Sequence, residues 1–196
     1  MYKKIMVFFG LLCSLTQHAS DLRSWLEIKP GYFFFSAQPM HQIYDHGGFQ
    51  VQASASIPVY DHLDFYGSVG FREAWGHALD SGQSTKIMVI PVDIGLRPVF
   101  NFGKRCSYFF AVGPRYFCFD QENNSSYVDS IINSAGIGCF VNTGLNVQLA
   151  DNFLLGFFGE YSYENKIIDS NTPNVYSGGN IQLGGFVFGM SFGYEF

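Results

Sequence analysis

The sequence predicts an all-β fold, an eight-stranded antiparallel up-and-down transmembrane β-barrel, and three observations predict it. The 196-residue chain contains 22 glycines and 18% aromatic residues, a composition that favours strands over helices. Charged residues make up only 14%, against roughly 25% in a water-facing domain. Beyond residue 20, apolar residues recur at every second position and form no run of the ~18 residues that a membrane-spanning helix needs. Helical bundles, coiled coils and disorder are therefore disfavoured.

Residues 1–20 have the layout of a secretory signal. Lys3 and Lys4 precede an apolar stretch, Ile5–Leu15, and polar and small residues follow it. This stretch is too short to cross a bilayer as a helix. We therefore expect export, with 1–20 as a signal peptide and 21–196 as a single barrel domain.

The first three predicted strands each alternate between an apolar face and a polar face. In 25–35, Leu and Ile alternate with Glu27 and Lys; in 49–59, Val and Ala alternate with Gln and Ser. The alternation resumes in 63–72 after a short turn at 60–62. These two later segments read as a hairpin.

The fourth and fifth predicted strands, 88–97 and 108–116, follow the same rule around a turn at 100–105. Met, Ile, Val and Leu alternate with Pro, Asp, Gly and Arg in one, and Tyr and Phe with Ala, Gly and Arg in the other. Each has one apolar face and one polar or small face.

The last three predicted strands are 137–149, 155–164 and 186–196. The polar face of 137–149 carries Gly, Asn and Gln and no charge. A turn at 150–152 leads into 155–164, and 186–196 places an aromatic residue or Met on one face throughout. The predicted total is eight antiparallel strands.

The connections alternate in length. The short turns are separated by longer polar connections at 37–47, 76–85, 120–134 and 166–179. Short periplasmic turns and longer external loops are typical of bacterial outer-membrane barrels. An even number of strands places both ends of the domain on the periplasmic side.

Alternation alone fits two barrels: a soluble one with its apolar face around a ligand, or a membrane barrel with its apolar face outward. The polar face here is mostly Gly, Ser, Asn and Gln, which suits a narrow filled interior. Isolated charges in such an interior are costly, so we expect them to pair and close the lumen, with a gated polar path as the alternative. The predicted lumen charges are Glu27, Lys29, Asp64, Arg72, Asp93, Arg97, Arg115, Glu160 and Glu195.

The final strand carries a predicted insertion signal, formed by Phe188, Met190, Phe192, Tyr194 and Phe196. Together with the eight-strand plan over 21–196, it resembles the small OmpA-transmembrane and OmpW-like outer-membrane barrels. One departure is Ser191, where that signal often has Gly. The resemblance implies a place in the bacterial outer membrane, with outer-membrane lipids and the β-barrel assembly machinery as partners.

Motifs for catalysis or cofactors are weak. Gly189–Gly193 matches G-x-S-x-G, but a nucleophile elbow needs a strand-to-helix turn and a later His, which this sequence lacks. His41, Asp45 and His46 share one loop, which we interpret as solvated and not as a metal site. We expect no enzyme activity, no cofactor and no metal. The net charge of −5 argues against nucleic acid as a partner.

The functional expectation is a non-enzymatic structural or surface-interaction protein. Its external loops would meet an external ligand or a host surface. The alternatives are a narrow channel or transporter for small solutes, and a soluble barrel with an interior pocket.

Overall fold

The computed structural model of the protein describes residues 24–78, 82–123, 131–170 and 182–196. The predicted signal peptide lies outside these ranges. The described chain forms one short helix and eight strands: β1 (Trp25–Phe35), α1 (Gln38–Ile43), β2 (Gly48–Tyr60), β3 (Leu63–His77), β4 (Ser84–Phe102), β5 (Cys106–Asn123), β6 (Ile131–Gln148), β7 (Phe153–Ser170) and β8 (Gly185–Glu195).

The strands close into a barrel. Each strand pairs antiparallel with the next one along the chain, and β8 returns to pair with β1. Ser24 and Phe196 continue this closure through two backbone hydrogen bonds of 2.9 and 3.0 Å. The predicted eight-stranded antiparallel up-and-down barrel is thus confirmed. Closure removes sheet edges, so the paired strands satisfy one another's backbone groups.

The two ends of the barrel differ. At the turn end, short turns at 61–62, 103–105 and 149–152 join consecutive strands. Left-handed backbone at His62 (φ 64°) and Gly103 (φ 71°) allows two of these turns to be tight. The loop end carries α1 and the other connections. The predicted alternation of short and longer connections is therefore present.

The two faces of the wall have opposite character. Ile28 is 56% exposed on the outer surface, whereas its neighbours Glu27 and Lys29 are 1% and 0% exposed in the lumen. The same parity holds around the barrel, because successive side chains of a strand point to opposite faces. Away from the loop end the outer surface of the wall is apolar, and the charged side chains of the strands face the lumen.

The strands at the loop end are longer than the sequence predicts. Residues 120–123 and 131–134, which the sequence places in a loop, continue β5 and β6, and the pairing reaches Glu122 opposite Ile131. The outward positions Asp120 and Glu122 are polar, so the alternation that identifies a strand disappears there. Backbone pairing does not need that alternation and persists. Likewise β7 runs on to Ser170, into the predicted 166–179 connection.

The first connection contains α1, which the sequence does not predict. Met40 and Tyr44 are buried, and the Tyr44 hydroxyl lies 3.2 Å from Thr85 Oγ1 on β4. The helix spans six residues, too few for an apolar period to be recognised. Within the described ranges, no helix is both long and apolar enough to cross a membrane.

The close approach of β4 and β5 gives a test of the fold. A Cβ at Gly113 would lie 2.0 Å from the Ile94 carbonyl oxygen, whereas one at Gly67 would come no closer than 3.9 Å to the Asp93 carbonyl oxygen. We expect Gly113→Ala to lower the free energy of unfolding by more than about 1 kcal/mol. The matched variant Gly67→Ala should leave it unchanged or slightly raised. Urea unfolding of the purified barrel measures both, and equal stability of the two variants would contradict this packing.

Candidate functional site

The candidate site is the interior of the barrel, which is filled with charged and aromatic side chains. Lys29, Arg72, Arg97 and Arg115 are among the largest fully buried side chains of the described residues. A buried ion is costly unless it is paired and hydrogen-bonded. The partners of these four cations therefore decide what the lumen can do.

The larger group of ion pairs is the central charge cluster, formed by Arg72, Asp93, Arg115, Glu160 and Glu164. Arg115 on β5 contacts three carboxylates at once. Its Nε lies 2.6 Å from Asp93 Oδ1, its Nη2 2.6 Å from Glu160 Oε1 and its Nη1 3.0 Å from Glu164 Oε1. One guanidinium thus joins β4, β5 and β7 across the bore.

Arg72 on β3 uses the same two glutamates. Its Nη2 lies 2.9 Å from Glu160 Oε1 and its Nη1 2.8 Å from Glu164 Oε1. These are the carboxylate oxygens that Arg115 also contacts. Two guanidinium groups therefore share two carboxylates, which connects β3 to β7 on another part of the wall.

Neutral side chains add hydrogen bonds to three members of the central charge cluster. Asn142 Nδ2 donates to Glu160 Oε2 at 2.9 Å, and Ser68 Oγ donates to Asp93 Oδ2 at 2.7 Å. Gln50 Oε1 accepts the Nε–H of Arg72 at 2.5 Å. Since these partners are uncharged, they reduce the cost of burying the ions without adding charge.

A second set of ion pairs, the Glu27 charge cluster, consists of Glu27, Lys29 and Arg97. Arg97 Nη1 and Nη2 lie 2.6 and 3.3 Å from the two oxygens of Glu27, the geometry of a two-point guanidinium–carboxylate pair. Lys29 Nζ lies 3.4 Å from Glu27 Oε2, and Asn146 Nδ2 donates to Glu27 Oε1 at 3.1 Å. One carboxylate here serves two cations.

Aromatic rings surround these cations. The Lys29 ammonium lies 5.2, 5.0 and 5.6 Å from the ring centroids of Tyr66, Phe109 and Phe158. The Arg97 guanidinium lies 4.0 Å from the Phe109 ring and 4.8 Å from that of Trp25. Ring faces attract cations, and they fill the bore where a carboxylate is absent.

Of the nine lumen charges predicted from the sequence, seven lie in the two clusters. Asp64 is buried opposite Arg97 in the β3–β4 register. Glu195 is half-buried at the turn end, where its backbone oxygen accepts a hydrogen bond of 2.7 Å from Asn152 Nδ2. Neither belongs to the ion pairs that define the clusters.

Glu164 and a loop-end apolar cap are missing from the predicted lumen. Glu164 is an even number of residues from Glu160 on the same strand, so both side chains face the lumen. The alternation of β7 therefore sufficed to add Glu164 to the predicted lumen charges. The cap was not predicted because both faces of the strand are apolar there. A segment such as 32–35 is then a continuous apolar run without the alternation that separates lumen-facing from outward positions. The interior is thus more aromatic than the sequence predicts. The cap residues include Phe33, Phe35, Met40, Tyr44, Ile87, Val89, Phe117, Phe119, Leu183 and Val187.

The weak catalytic and metal motifs gain no support from their surroundings. Ser191 lies within β8, where its Oγ donates to Asn146 Oδ1 at 3.2 Å, so no strand-to-helix turn presents it. His46 Nδ1 lies 2.5 Å from Asp45 Oδ1. This hydrogen bond holds the pKa of Asp45 below its usual value. Among the described residues, no group of three or more His, Cys, Asp or Glu side chains is placed to hold a metal ion.

The residues of the predicted insertion signal all lie on the outer surface. Their side chains are exposed along the outward face of the β8 strand and just beyond it, and their reading as a signal stays a prediction. They are Phe188, Met190, Phe192, Tyr194 and Phe196.

Comparisons with known proteins identify the kind of fold. No protein-family model and no curated protein matches the chain. Among solved structures, OprG, an outer membrane protein from Pseudomonas aeruginosa, is 13% identical over 89% of this chain and 96% of its own, with a TM-score of 0.67. Ail, the attachment invasion locus protein of Yersinia pestis, is 14% identical over 89% and 99%, with a TM-score of 0.55. Neisserial surface protein A is 16% identical over 90% and 98%, with a TM-score of 0.53.

These likenesses cover nearly the whole of each barrel. At 13–16% identity they establish the fold alone. The chain has the fold of the small outer-membrane β-barrels.

The central charge cluster makes a prediction about stability. Arg115→Met removes the contacts to Asp93, Glu160 and Glu164, which leaves the two glutamates with Arg72 alone and takes away the guanidinium partner of Asp93. We expect the free energy of unfolding to fall by about 3–5 kcal/mol, the usual cost of breaking a buried pair. Arg105→Met, in the exposed 103–105 turn, is the matched control and should change it by less than about 0.5 kcal/mol. A loss for Arg115→Met as small as the control's would show that the cluster does not hold the barrel together.

Proposed function

We propose that this protein is an integral β-barrel of a bacterial outer membrane, with a closed lumen and no enzymatic activity. We further propose that it acts as a structural or surface-interaction protein through the residues at its loop end. The observation that carries the proposal is the inverted distribution of polarity: large apolar side chains are exposed on the wall while ion pairs are buried inside it.

Lipid is the surrounding that this distribution fits. Ile28, Phe65, Phe157 and Phe188 are all more than two-fifths exposed, and they belong to an apolar belt that runs around the barrel. Monomeric soluble proteins rarely expose a continuous apolar surface of such extent. In a bilayer the same apolar surface contacts lipid tails, and the charged side chains in the lumen stay away from lipid.

Two features of the interior support a closed lumen. The central charge cluster ties β3, β4, β5 and β7 together across the bore, and the loop-end apolar cap covers it under α1. An eight-stranded barrel has just enough interior for its own side chains. These features favour a structural or binding role over the alternative of a narrow channel.

An external ligand is a reasonable class of partner for the loop end. One similar structure is that of Ail in complex with the heparin analogue sucrose octasulfate, at 14% identity and a TM-score of 0.56. A protein with this fold has thus been captured with a soluble ligand. Export through residues 1–20 and recognition by the assembly machinery are parts of the same proposal.

Cell fractionation tests the location. We expect the full chain, expressed in a Gram-negative host, to be recovered in the outer-membrane fraction. Its migration in gels should change on heating, because a folded barrel resists detergent until it is boiled. Recovery as a soluble periplasmic protein would contradict the membrane assignment.

Planar-bilayer recordings test the closed lumen. We expect no large, stable openings from the reconstituted protein, since paired ions and the loop-end apolar cap block the bore. A porin reconstituted in the same way is the positive control, and heat-dependent migration of the same sample confirms folding. Large and stable openings would favour the channel alternative.

A further inference from the structure

Of the three short turns at the turn end, the one between β4 and β5 is basic. It spans 103–105, carries Lys104 and Arg105, and is called the basic turn below. The other two short turns carry Asp61 and Asp151 and no Lys or Arg. The positive charge of the short turns is therefore confined to one side of the barrel.

Both cations of the basic turn are exposed. Unlike the cations of the lumen, neither belongs to an ion pair among the described residues. The turn itself is anchored, because the Gln148 backbone N–H donates to the Arg105 carbonyl oxygen at 2.7 Å. A Cβ at Gly103 would meet no atom within 4 Å beyond its chain neighbours, so the space over the turn is open. The two positive groups are thus fixed at their base and accessible to an anion.

A cavity of about 280 Å³ adjoins the basic turn and shares its residues. The amide and hydroxyl side chains of Asn101, Ser107 and Gln148 line it, and Glu195 on β8 contributes one carboxylate. Two cations against one carboxylate give this cavity an excess of positive charge. Its uncharged polar groups suit hydroxyl groups, which exchange hydrogen bonds with amides.

An apolar wall begins directly beside the basic turn. Phe100 and Phe102, the outward residues at the end of β4, are 50% and 60% exposed. The Phe100 ring stacks on that of Tyr108, its partner on β5, with 6.3 Å between the ring centroids. Aromatic side chains at the end of a membrane-spanning strand lie at the level of lipid headgroups. Unpaired cations and an exposed apolar surface therefore meet at one place on the barrel.

We propose that the basic turn and its cavity bind the headgroup of phosphatidylglycerol, an anionic phospholipid, from the membrane leaflet at the turn end. This inference rests on the proposed function, which places the apolar wall in a bilayer. The phosphate would contact Lys104 and Arg105, whose ammonium and planar guanidinium both recognise phosphate oxygens. The glycerol hydroxyls would lie in the cavity, and the acyl chains would run along the rings of Phe100 and Phe102.

The net charge of the lipid decides the preference. Phosphatidylcholine and phosphatidylethanolamine carry an ammonium group that cancels the phosphate charge, whereas phosphatidylglycerol does not. Each Lys or Arg near a membrane surface raises the local concentration of an anionic lipid about fivefold at low screening. Salt weakens interactions between exposed charges. We therefore expect a preference of at least about threefold for phosphatidylglycerol over phosphatidylcholine at the basic turn.

Quenching of a single Trp by brominated lipid measures this preference. Trp25 and Trp75 are replaced by Phe, and Phe102→Trp or Phe153→Trp supplies the single Trp. Phe102 adjoins the basic turn, and Phe153 adjoins Asp151 three strands further around the wall, with matched exposures of 60% and 59%. The protein is reconstituted in phosphatidylcholine that contains a small fixed share of either brominated phosphatidylglycerol or brominated phosphatidylcholine.

The expected preference is at least about threefold at Phe102→Trp and absent at Phe153→Trp. Lys104→Gln combined with Arg105→Gln should abolish it, whereas Lys104→Arg combined with Arg105→Lys should retain it, because both charges remain. Lys86→Gln, which removes a cation paired with a carboxylate at the loop end, is the matched control and should leave it unchanged. The variants are compared in lipid, because a neutral detergent offers the basic turn no anionic ligand. Heat-dependent migration confirms that each variant is folded.

The outcomes separate this site from the membrane assignment. Strong quenching with the same lipid ratio at Phe102→Trp and Phe153→Trp, or a preference that survives the loss of both charges, would overturn the site alone. No quenching by either lipid at either position would contradict the proposed place in a bilayer and this inference with it. If the preference is absent and the protein instead sediments with isolated peptidoglycan through Lys104 and Arg105, the basic turn is a cell-wall site and the lipid proposal is wrong.

Discussion

The structure depends on two carboxylates shared by two guanidinium groups across the bore. Glu160 and Glu164, both on β7, each place one oxygen within 3.0 Å of Arg72 from β3 and Arg115 from β5. Backbone pairing holds neighbouring strands, and the number and stagger of the paired strands set the width of the bore. The shared carboxylates add direct links across that bore, because distant parts of the wall meet at the same atoms.

The inverted polarity of the barrel follows from this constraint. Buried ions need every available partner, so small and amide side chains such as Ser68, Gln50 and Asn142 occupy the lumen positions around them. The apolar residues of the same strands then fall on the outer surface, since the period of a strand is two. A mean hydropathy of only +0.09 is the average of these two very different faces.

Much of this arrangement was accessible from the sequence, and the exceptions have physical causes. Strand number, order and facing depend on a period of two, which Glu27, Ile28 and Lys29 display directly. The loop-end extensions of β5 and β6 were not predicted, because their outward residues are polar. The loop-end apolar cap and α1 were not predicted either: apolar residues on both faces of a strand, or in a six-residue helix, leave no period to detect. Which carboxylate meets which guanidinium depends on the curvature of the wall, which pairs residues far apart in the chain.

Quenching by brominated lipid tests most directly whether the apolar face meets lipid and the polar face does not. Phe157 is exposed on the outer surface, and its neighbour Phe158 is buried in the lumen. Trp75 and Trp25 would be replaced by Phe, and a single Trp placed by Phe157→Trp or by Phe158→Trp. The account predicts strong quenching for Phe157→Trp and little for Phe158→Trp in folded, reconstituted protein. Equal quenching at both positions, or stronger quenching at the inner one, would contradict it.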